Sequence, residues 1–277
     1  MDDVEVNRVF HDHECHYYDE RFAIVHDARS ARRARREVEG LLGRSLRAGE
    51  VLLDVGCGTG WLAAGVRRAA PEVTVVGLDL SEGMLERARA AGAWPLMQGQ
   101  AGGGTGWLPI ATGSVDLVIG RGVLHHLPDP VGALAEWHRV LRPGGAVVLS
   151  SEPTPIVERH GDVLVQGMLS VLRTPLEPEA EFWELAAMAA NLHVFSCREM
   201  QAMAAAAGFR DINLRTAAVA ATLVLTASYV LHGRKPEIAR RLPWRDLESA
   251  SRLIDAAVLD RIVPSRWRHT VVGRLTR

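Results

Sequence analysis

Lysine is almost missing from this chain. Lys235 is its one example among 277 residues, so nearly every fixed positive charge is an arginine. Basic and acidic side chains nearly balance, with a formal net charge of −1. That balance supplies no field to hold nucleic acid or an anionic membrane through phosphate contacts. The arginine bias reads as G+C-rich coding rather than as a guanidinium-specific function. Cysteine is scarce as well. Cys15, Cys57 and Cys197 are odd in number and far apart, so they form neither a disulfide framework nor a metal motif, as expected in a reducing cytoplasm. Long apolar runs are missing too. Ala217 to Leu231 carries no charge, but it is shorter than the roughly 20 residues a membrane span needs and is expected to be buried. Met1-Asp2-Asp3 opens the chain without an apolar stretch, so no secretory signal is expected. There is no internal repeat or low-complexity tract. The length suits one large domain with an elaboration, or two small ones.

The rest is organised around one stretch. Val51-Leu52-Leu53-Asp54-Val55 is a short apolar run of the kind that forms a buried parallel strand. Gly56, Gly58 and Gly60 follow at every second position, and Trp61-Leu62-Ala63 opens a helix. Glycine there lets the backbone turn tightly and lets a ligand approach without meeting a Cβ. The helix start offers free N–H groups. Strand, glycine turn and helix at the head of a βαβ unit make a nucleotide site. The spacing is not the Gly-x-Gly-x-x-Gly of dinucleotide binders, and Asp54 stands two residues ahead of it. A second apolar strand, Val73 to Leu80, carries Asp79 at its tip, where a carboxylate can accept from both ribose hydroxyls.

Asp54-Val-Gly-Cys-Gly-Thr-Gly60 and Gly77-Leu-Asp79-Leu-Ser-Glu-Gly-Met84-Leu resemble the first two motifs of the class I S-adenosylmethionine-dependent methyltransferases. The similarity falls within the small-molecule group related to ubiquinone and menaquinone biosynthesis enzymes. Leu96-Met97-Gln98-Gly99-Gln100-Ala101 resembles the third motif, with Gln100 where an acid commonly meets the adenine amino group. Arg121-Gly122-Val123-Leu124-His125-His126-Leu127-Pro128 resembles the segment after the fourth strand, and Pro143-Gly144-Gly145 the turn before the fifth. A Rossmann-like domain binding NAD, or nothing, is the plainer alternative. The resemblance implies S-adenosylmethionine as cofactor. Asp54, Gly56, Cys57 and Gly58 would surround its methionine part and Asp79 its ribose. Leu80 and Met84 would border the adenine, Gln100 and Ala101 would meet its edge, and Arg121 and Gly122 would form the floor.

His125 and His126 are the best general-base candidates, because imidazole titrates near neutral pH and their segment follows a central strand. Relatives with differing substrates share the pair, so a packing or loop-orienting role for one of them stays open. Glu152, just past the fifth strand, can hold a substrate group or cap a helix. The first 26 residues pack His11, His13 and His16 among acids. A solvated amphipathic helix with Val9, Phe10 and Tyr17 as its apolar face is preferred to a metal site, since methyl transfer from a sulfonium needs no metal. In the resembling family such a segment closes over the cofactor, which puts Tyr17 or Tyr18 near it, where a phenol could close the site or bond a substrate oxygen. Residues 27–48 read as a helix capped by Asp27. Its Arg32, Arg33, Arg35 and Arg36 read as a solvated face rather than a phosphate patch. Gly102 to Trp107 reads as a flexible surface loop.

The expected architecture is α/β, a Rossmann-like, seven-stranded, mostly parallel sheet with helices on both faces. Residues 1–48 would be an N-terminal helical lid and 49–151 the cofactor-binding core. Residues 152–195 would be an inserted substrate cap, and 196–277 the C-terminal part of the core with a second insertion at about 217–265. The expected function is methyl transfer to a hydrophobic or aromatic small metabolite, in the cytoplasm and in secondary metabolism. No nucleic acid, metal or membrane insertion is expected, and the oligomeric state is open. Alternatives are a quinone-pathway C-methyltransferase and a methyltransferase-fold binding protein, cyclase or regulatory, that transfers no methyl. An RNA methyltransferase is disfavoured by the lack of an Asn-Pro-Pro-Tyr motif.

Overall fold

The computed structural model describes residues 2–92, 94–104, 106–156 and 193–277. Seven strands form its sheet: β1 (Val51–Val55), β2 (Thr74–Asp79), β3 (Leu96–Gln98), β4 (Val115–Arg121), β5 (Leu141–Pro153), β6 (Asp211–Ala217) and β7 (Thr270–Thr276). Their spatial order is β3-β2-β1-β4-β5-β7-β6. The first five pair in parallel, and β7 runs antiparallel between β5 and β6. This is the Rossmann-like, mostly parallel sheet expected. Strand order reverses between β1 and β4, and ligands of such sheets bind outside the carboxyl ends at that point.

The strands read as continuous apolar runs because both faces of the sheet are covered. Alternate residues serve opposite layers. Leu52, Leu117, Ile119 and Val148 pack with helices α3 (Ala28–Leu42) and α4 (Trp61–Ala69). Leu53, Val55, Val118, Val147 and Leu149 pack with α6 (Pro130–Val140) and α7 (Cys197–Ala206), counting α5 (Glu82–Ala91) before them. Local capping sets the helix starts. Ser81 Oγ accepts from Met84 N at 3.1 Å, and Ser196 with Glu199 forms the expected capping box. Asp27 caps α3 as expected, accepting from Ser30 N at 2.7 Å. That helix stops at Leu42, not at 48, because Gly43 turns left-handed at φ 76°. Leu46 then folds inward, its N–H donating to Glu39 Oε1 at 3.0 Å.

The N-terminal segment forms α1 (Asp3–Glu14) and the short α2 (Tyr18–Arg21). Val6 and Phe10 are buried, whereas Tyr17, expected on the apolar face, is exposed, with Arg21 over its ring. Three polar side chains pin these helices over the carboxyl ends of the sheet. Asn7 Nδ2 donates to the His126 carbonyl at 3.0 Å. Asp12 Oδ1 accepts from Ser81 Oγ at 2.6 Å and Gly83 N at 3.1 Å. Asp19 Oδ1 accepts from Thr59 Oγ1 at 2.7 Å.

Most of the inserted cap expected at 152–195 lies outside the described residues, and Glu152 and Pro153 belong to β5. The stretch expected as a second insertion, about 217–265, carries α8 (Ala220–Arg234) and α9 (Trp244–Ile254). Within Ala217 to Leu231, Ala221 and Val230 are buried, while Leu225 is half-buried. Among the described residues no helix is long and apolar enough to cross a membrane. α9 is tied to α3 by ion pairs: Arg33 with Glu248, Arg29 with Asp246 at 3.2 Å, and Asp27 with Arg245 at 2.9 Å. Arg33 is therefore part-buried and paired rather than on a solvated face.

Candidate active site

The glycine turn after β1 is shaped by two close demands. At Gly56 (φ 64°) a Cβ would fall 2.4 Å from Val123 Cγ2. At Gly58 (φ 53°) a Cβ would meet nothing within 4 Å, because the residue opens on a cavity. Both have the left-handed backbone that glycine adopts without penalty. Gly58 N donates to Asp79 Oδ2 at 2.7 Å, and Ser81 N to Asp79 Oδ1 at 2.9 Å. The tips of β1 and β2 are thus locked together through one carboxylate. Burial raises the Asp79 carboxyl above its ordinary value, against the pull of those backbone donors.

The cavity is about 1600 Å³ and runs along the carboxyl ends of the sheet beneath α1, α2 and α8. Gly56, Gly58, Asp79, Leu80, Met84, Gln100, Ala101, Arg121 and Gly122 line it, as do Tyr18, His125 and His126. Three residues singled out from the sequence are not on its wall. Tyr17 is on the outside. Cys57 is buried, its Sγ packed near Gly77, and burial pushes its thiol well above the ordinary value. Asp54 lies behind the turn, 2% exposed. Its Oδ2 has no hydrogen-bond partner among the described residues. Burial, then the charge of Asp79, push its carboxyl up to about 7, while Arg121 pulls the other way. A buried acceptor with no donor is costly.

Tyr18 is half-buried on the cavity wall, and burial followed by the nearby Glu14 raises its phenol above the ordinary value. Gly102 and Gly103 are not a loose surface loop. Both are left-handed (φ 94° and 92°) and lie on the start of α6, where a Cβ on Gly103 would fall 2.5 Å from the Asp129 carbonyl. Gly104 N donates to Asp129 Oδ2 at 2.8 Å. The glycines permit that close approach, and they line the cavity beside Gln100.

After β4 the chain makes a single 3₁₀ turn, Leu124–His126. Glu152, fully buried at the end of β5, caps it. Its Oε1 accepts from Val123 N at 2.9 Å and Leu124 N at 3.0 Å; its Oε2 accepts from His125 N at 3.2 Å and meets His125 Nδ1 at 2.9 Å. Of the two readings of Glu152, the capping one describes its contacts. An ionised carboxylate only accepts, so against it the ring Nδ1–H donates, and in the neutral ring Nε2 is left as the acceptor of His125. His126 packs at 3.9 Å centroid distance from His125 and edge-on at 5.2 Å to His11. The N-terminal histidines diverge: His11 lines the cavity, whereas His13 and His16 are exposed. No group of three or more possible metal ligands occurs among the described residues.

Sequence reading missed a set of charges on the same wall: Arg33 and Glu37 of α3, and Glu248 and Arg252 of α9. Each pair has the four-residue spacing of one helix face. Nothing local says that the two faces meet.

Residues 53–149 match the family model described as a methyltransferase domain. A trans-aconitate 2-methyltransferase of Methylobacterium radiotolerans is 32% identical over 195 residues, 65% of this chain and 72% of that protein. A demethylmenaquinone methyltransferase of Staphylococcus carnosus is 34% identical over 62% of this chain and 72% of that protein. A malonyl-[acyl-carrier protein] O-methyltransferase of Hahella chejuensis is 39% identical over 105 residues, 36% of each chain, so the match spans about a third of that relative. In fold, the Haemonchus contortus phosphoethanolamine N-methyltransferase 2, solved with S-adenosylhomocysteine, superposes with a TM-score of 0.54 at 18% identity, covering 89% of this chain and 52% of that one. Extended identity over most of two relatives, with the glycine turn and Asp79 built into one cavity, shows the family: the chain belongs to the class I S-adenosylmethionine-dependent methyltransferases.

Proposed function

We propose that the chain transfers a methyl group from S-adenosylmethionine to a small lipophilic or aromatic metabolite, with His125 as general base. The observation that carries this reading is the continuity of one cavity from Gly58 and Asp79 to His125, whose ring is held by Glu152. When bound, the cofactor supplies a methyl group on a sulfonium, already electrophilic. The protein's work is to bind, align, exclude water and take a proton.

Asp79 has acceptor capacity left for the ribose hydroxyls after its two backbone bonds. Asp54, one layer behind the glycine turn, would favour the cationic amino group of the methionine part through its charge rather than by lining the cavity. Met84, Leu80 and Ala101 offer apolar surface for the adenine, with Gln100 at its edge. The pinned helices α1 and α2 exclude water above, bringing Tyr18 to the wall. His125 Nε2 takes the acceptor's proton while Glu152 holds Nδ1–H. That orienting carboxylate sets His125 ahead of His126. Phe10, Phe22, Ile24 and Leu225 give the cavity the apolar surface a lipophilic acceptor needs. The three relatives' names describe three different acceptors, so the choice falls to these walls, which suits a tailoring enzyme of secondary metabolism. The demethylmenaquinone relative favours a second reading, C-methylation of a quinone precursor.

The test is release of S-adenosylhomocysteine, followed by mass spectrometry, on incubation with lipophilic phenols, acids and quinones. Product with at least one class is expected. Tight S-adenosylmethionine binding with no product from any class would leave the non-transferring reading in its place.

Asp54 makes a further prediction. In the free protein its carboxyl titrates near pH 7, and a cation prefers the ionised form. Affinity for S-adenosylmethionine is expected to rise with pH up to about 7 and then level off; Asp54→Asn should bind more weakly and flatten the profile. Stability should move the other way. The folded value lies above the ordinary 3.8, so the fold holds the proton more tightly than the unfolded chain, and stability falls as pH rises from about 4 through 7. Asp54→Asn should therefore raise the Tm of the free protein at pH 8, by about 2–4 °C for each kcal/mol recovered. A lower Tm at pH 8 would contradict the buried, ionised carboxylate.

A further inference from the structure

The cavity continues past His125 to a charged end between α3 and the α8–α9 pair. Three guanidiniums, of Arg33, Arg121 and Arg252, stand there against two carboxylates, of Glu37 and Glu248. The hydrogen bonds are unevenly shared. Arg33 donates to both oxygens of Glu248 from both terminal nitrogens. Arg252 donates to Glu248 through Nε alone. Arg121 donates to Glu37 through Nε alone, at 3.3 Å, with its face over Trp61, and Ser150 Oγ donates to the same oxygen at 3.0 Å. The terminal nitrogens of Arg121 and Arg252 have no hydrogen-bond partner among the described residues, although these side chains are only 24% and 32% exposed.

Both acids hold their charge. Burial would raise Glu37, but Arg121, Arg252 and Arg33 bring it below its ordinary value; burial would raise Glu248 too, and Arg252 and Arg33 lower it. Burial and then the charge of Arg252 push Arg33 down, the mark of cations crowded together. Asp255, whose charge also reaches Arg252, brings the fixed acids to three against three guanidiniums. What this end of the cavity lacks is an acceptor for the terminal N–H groups of Arg121 and Arg252, and a donor shielded from water without one is costly. Guanidinium forks match the planar carboxylate. Ala221 and Leu225 of α8 give apolar surface alongside.

We infer that this end of the cavity seats a carboxylate of the methyl acceptor, with Arg252 as its main contact and the acceptor's apolar body lying along α8. The inference rests on the transferase reading of the same cavity. The apolar cavity alone describes a neutral lipophilic acceptor; the unpartnered guanidinium nitrogens make it an acid.

Calorimetric titration of the full chain saturated with S-adenosylhomocysteine tests this without turnover. The probes are benzoate, 3-phenylpropionate and octanoate, each against its amide, and phenyl phosphate. At least one acid should bind tenfold or more tightly than its amide. Arg252→Gln should remove the preference and leave S-adenosylhomocysteine affinity within threefold of the parent. Glu248→Gln should strengthen acid binding several-fold, because it frees Arg33 and Arg252 from their shared partner; a general loss of fold would weaken both variants alike. Equal binding of acids and amides, or an acid preference that survives Arg252→Gln, would overturn the carboxylate seat. Tighter binding of phenyl phosphate than of every acid would overturn the choice of carboxylate. Failure to bind S-adenosylhomocysteine would sink the transferase reading and the acid seat together, whereas tight binding of it with no acid preference would sink the seat alone.

Discussion

Asp79→Ala should weaken S-adenosylmethionine binding by about a hundredfold or more in calorimetric titration. A hydrogen bond to a charged group contributes about 1.5–3 kcal/mol net. Two such bonds to the ribose hydroxyls amount to about 3–6 kcal/mol, or two to four powers of ten in affinity. The same change takes the acceptor from Gly58 N and Ser81 N, so the glycine turn loosens as well. Asp79→Asn separates the two effects. It keeps one acceptor oxygen at the same place and should lose less than the alanine variant. Binding by Asp79→Ala within threefold of the parent would remove the ribose role.

His125→Ala should lower kcat by about 10²–10⁴-fold, the usual worth of a positioned base, and leave S-adenosylmethionine affinity within threefold. Glu152→Gln should fall between that variant and the parent. Its amide nitrogen cannot accept from the backbone donors of Val123, Leu124 and His125, and it no longer favours the Nδ1–H tautomer. The pH–rate profile of Glu152→Gln should shift with the loss of that orientation, which a purely structural defect would not produce. His126→Ala should cost less than His125→Ala, because it is the ring of His125 that the Glu152 carboxylate orients. Alignment by the cavity can itself be worth about 7–11 kcal/mol, so an acceptor that arrives deprotonated needs no base. Turnover within a few-fold of the parent in both histidine variants would assign the rate to alignment alone.

Much of the core was readable along the chain. The apolar runs at Leu52–Val55 and Val115–Ile119 and the Ser196–Glu199 capping box each depend on neighbours within a few residues. Pro143-Gly144-Gly145, expected as the turn before the fifth strand, lies within β5, and the helix before it ends at Val140. Where the reading slipped, either a local stop was passed over or a distant contact decided the outcome. The helix expected through residue 48 ends at Leu42 because Gly43 turns left-handed, a local signal. The glycines after Gln100 read as a loose loop, yet they are needed for close contact with the start of α6. Tyr17 and Tyr18 are indistinguishable by composition; the bend between α1 and α2 turns the second to the cavity and the first to solvent.

By itself the chain determined the turn at the head of the cavity. Strand, glycine turn, helix and acid-tipped second strand are short-range features, carried by residue period, backbone freedom and capping bonds. Only the tertiary structure decided the charged end of the cavity. Arg33 and Glu248 are 215 positions apart, and Glu152 stands 27 from His125. The worth of those charges depends on what faces them and on how much water is excluded, and neither is written in local sequence. A charge on an exposed helix face is weakly felt, and the same charge on a cavity wall selects what can bind.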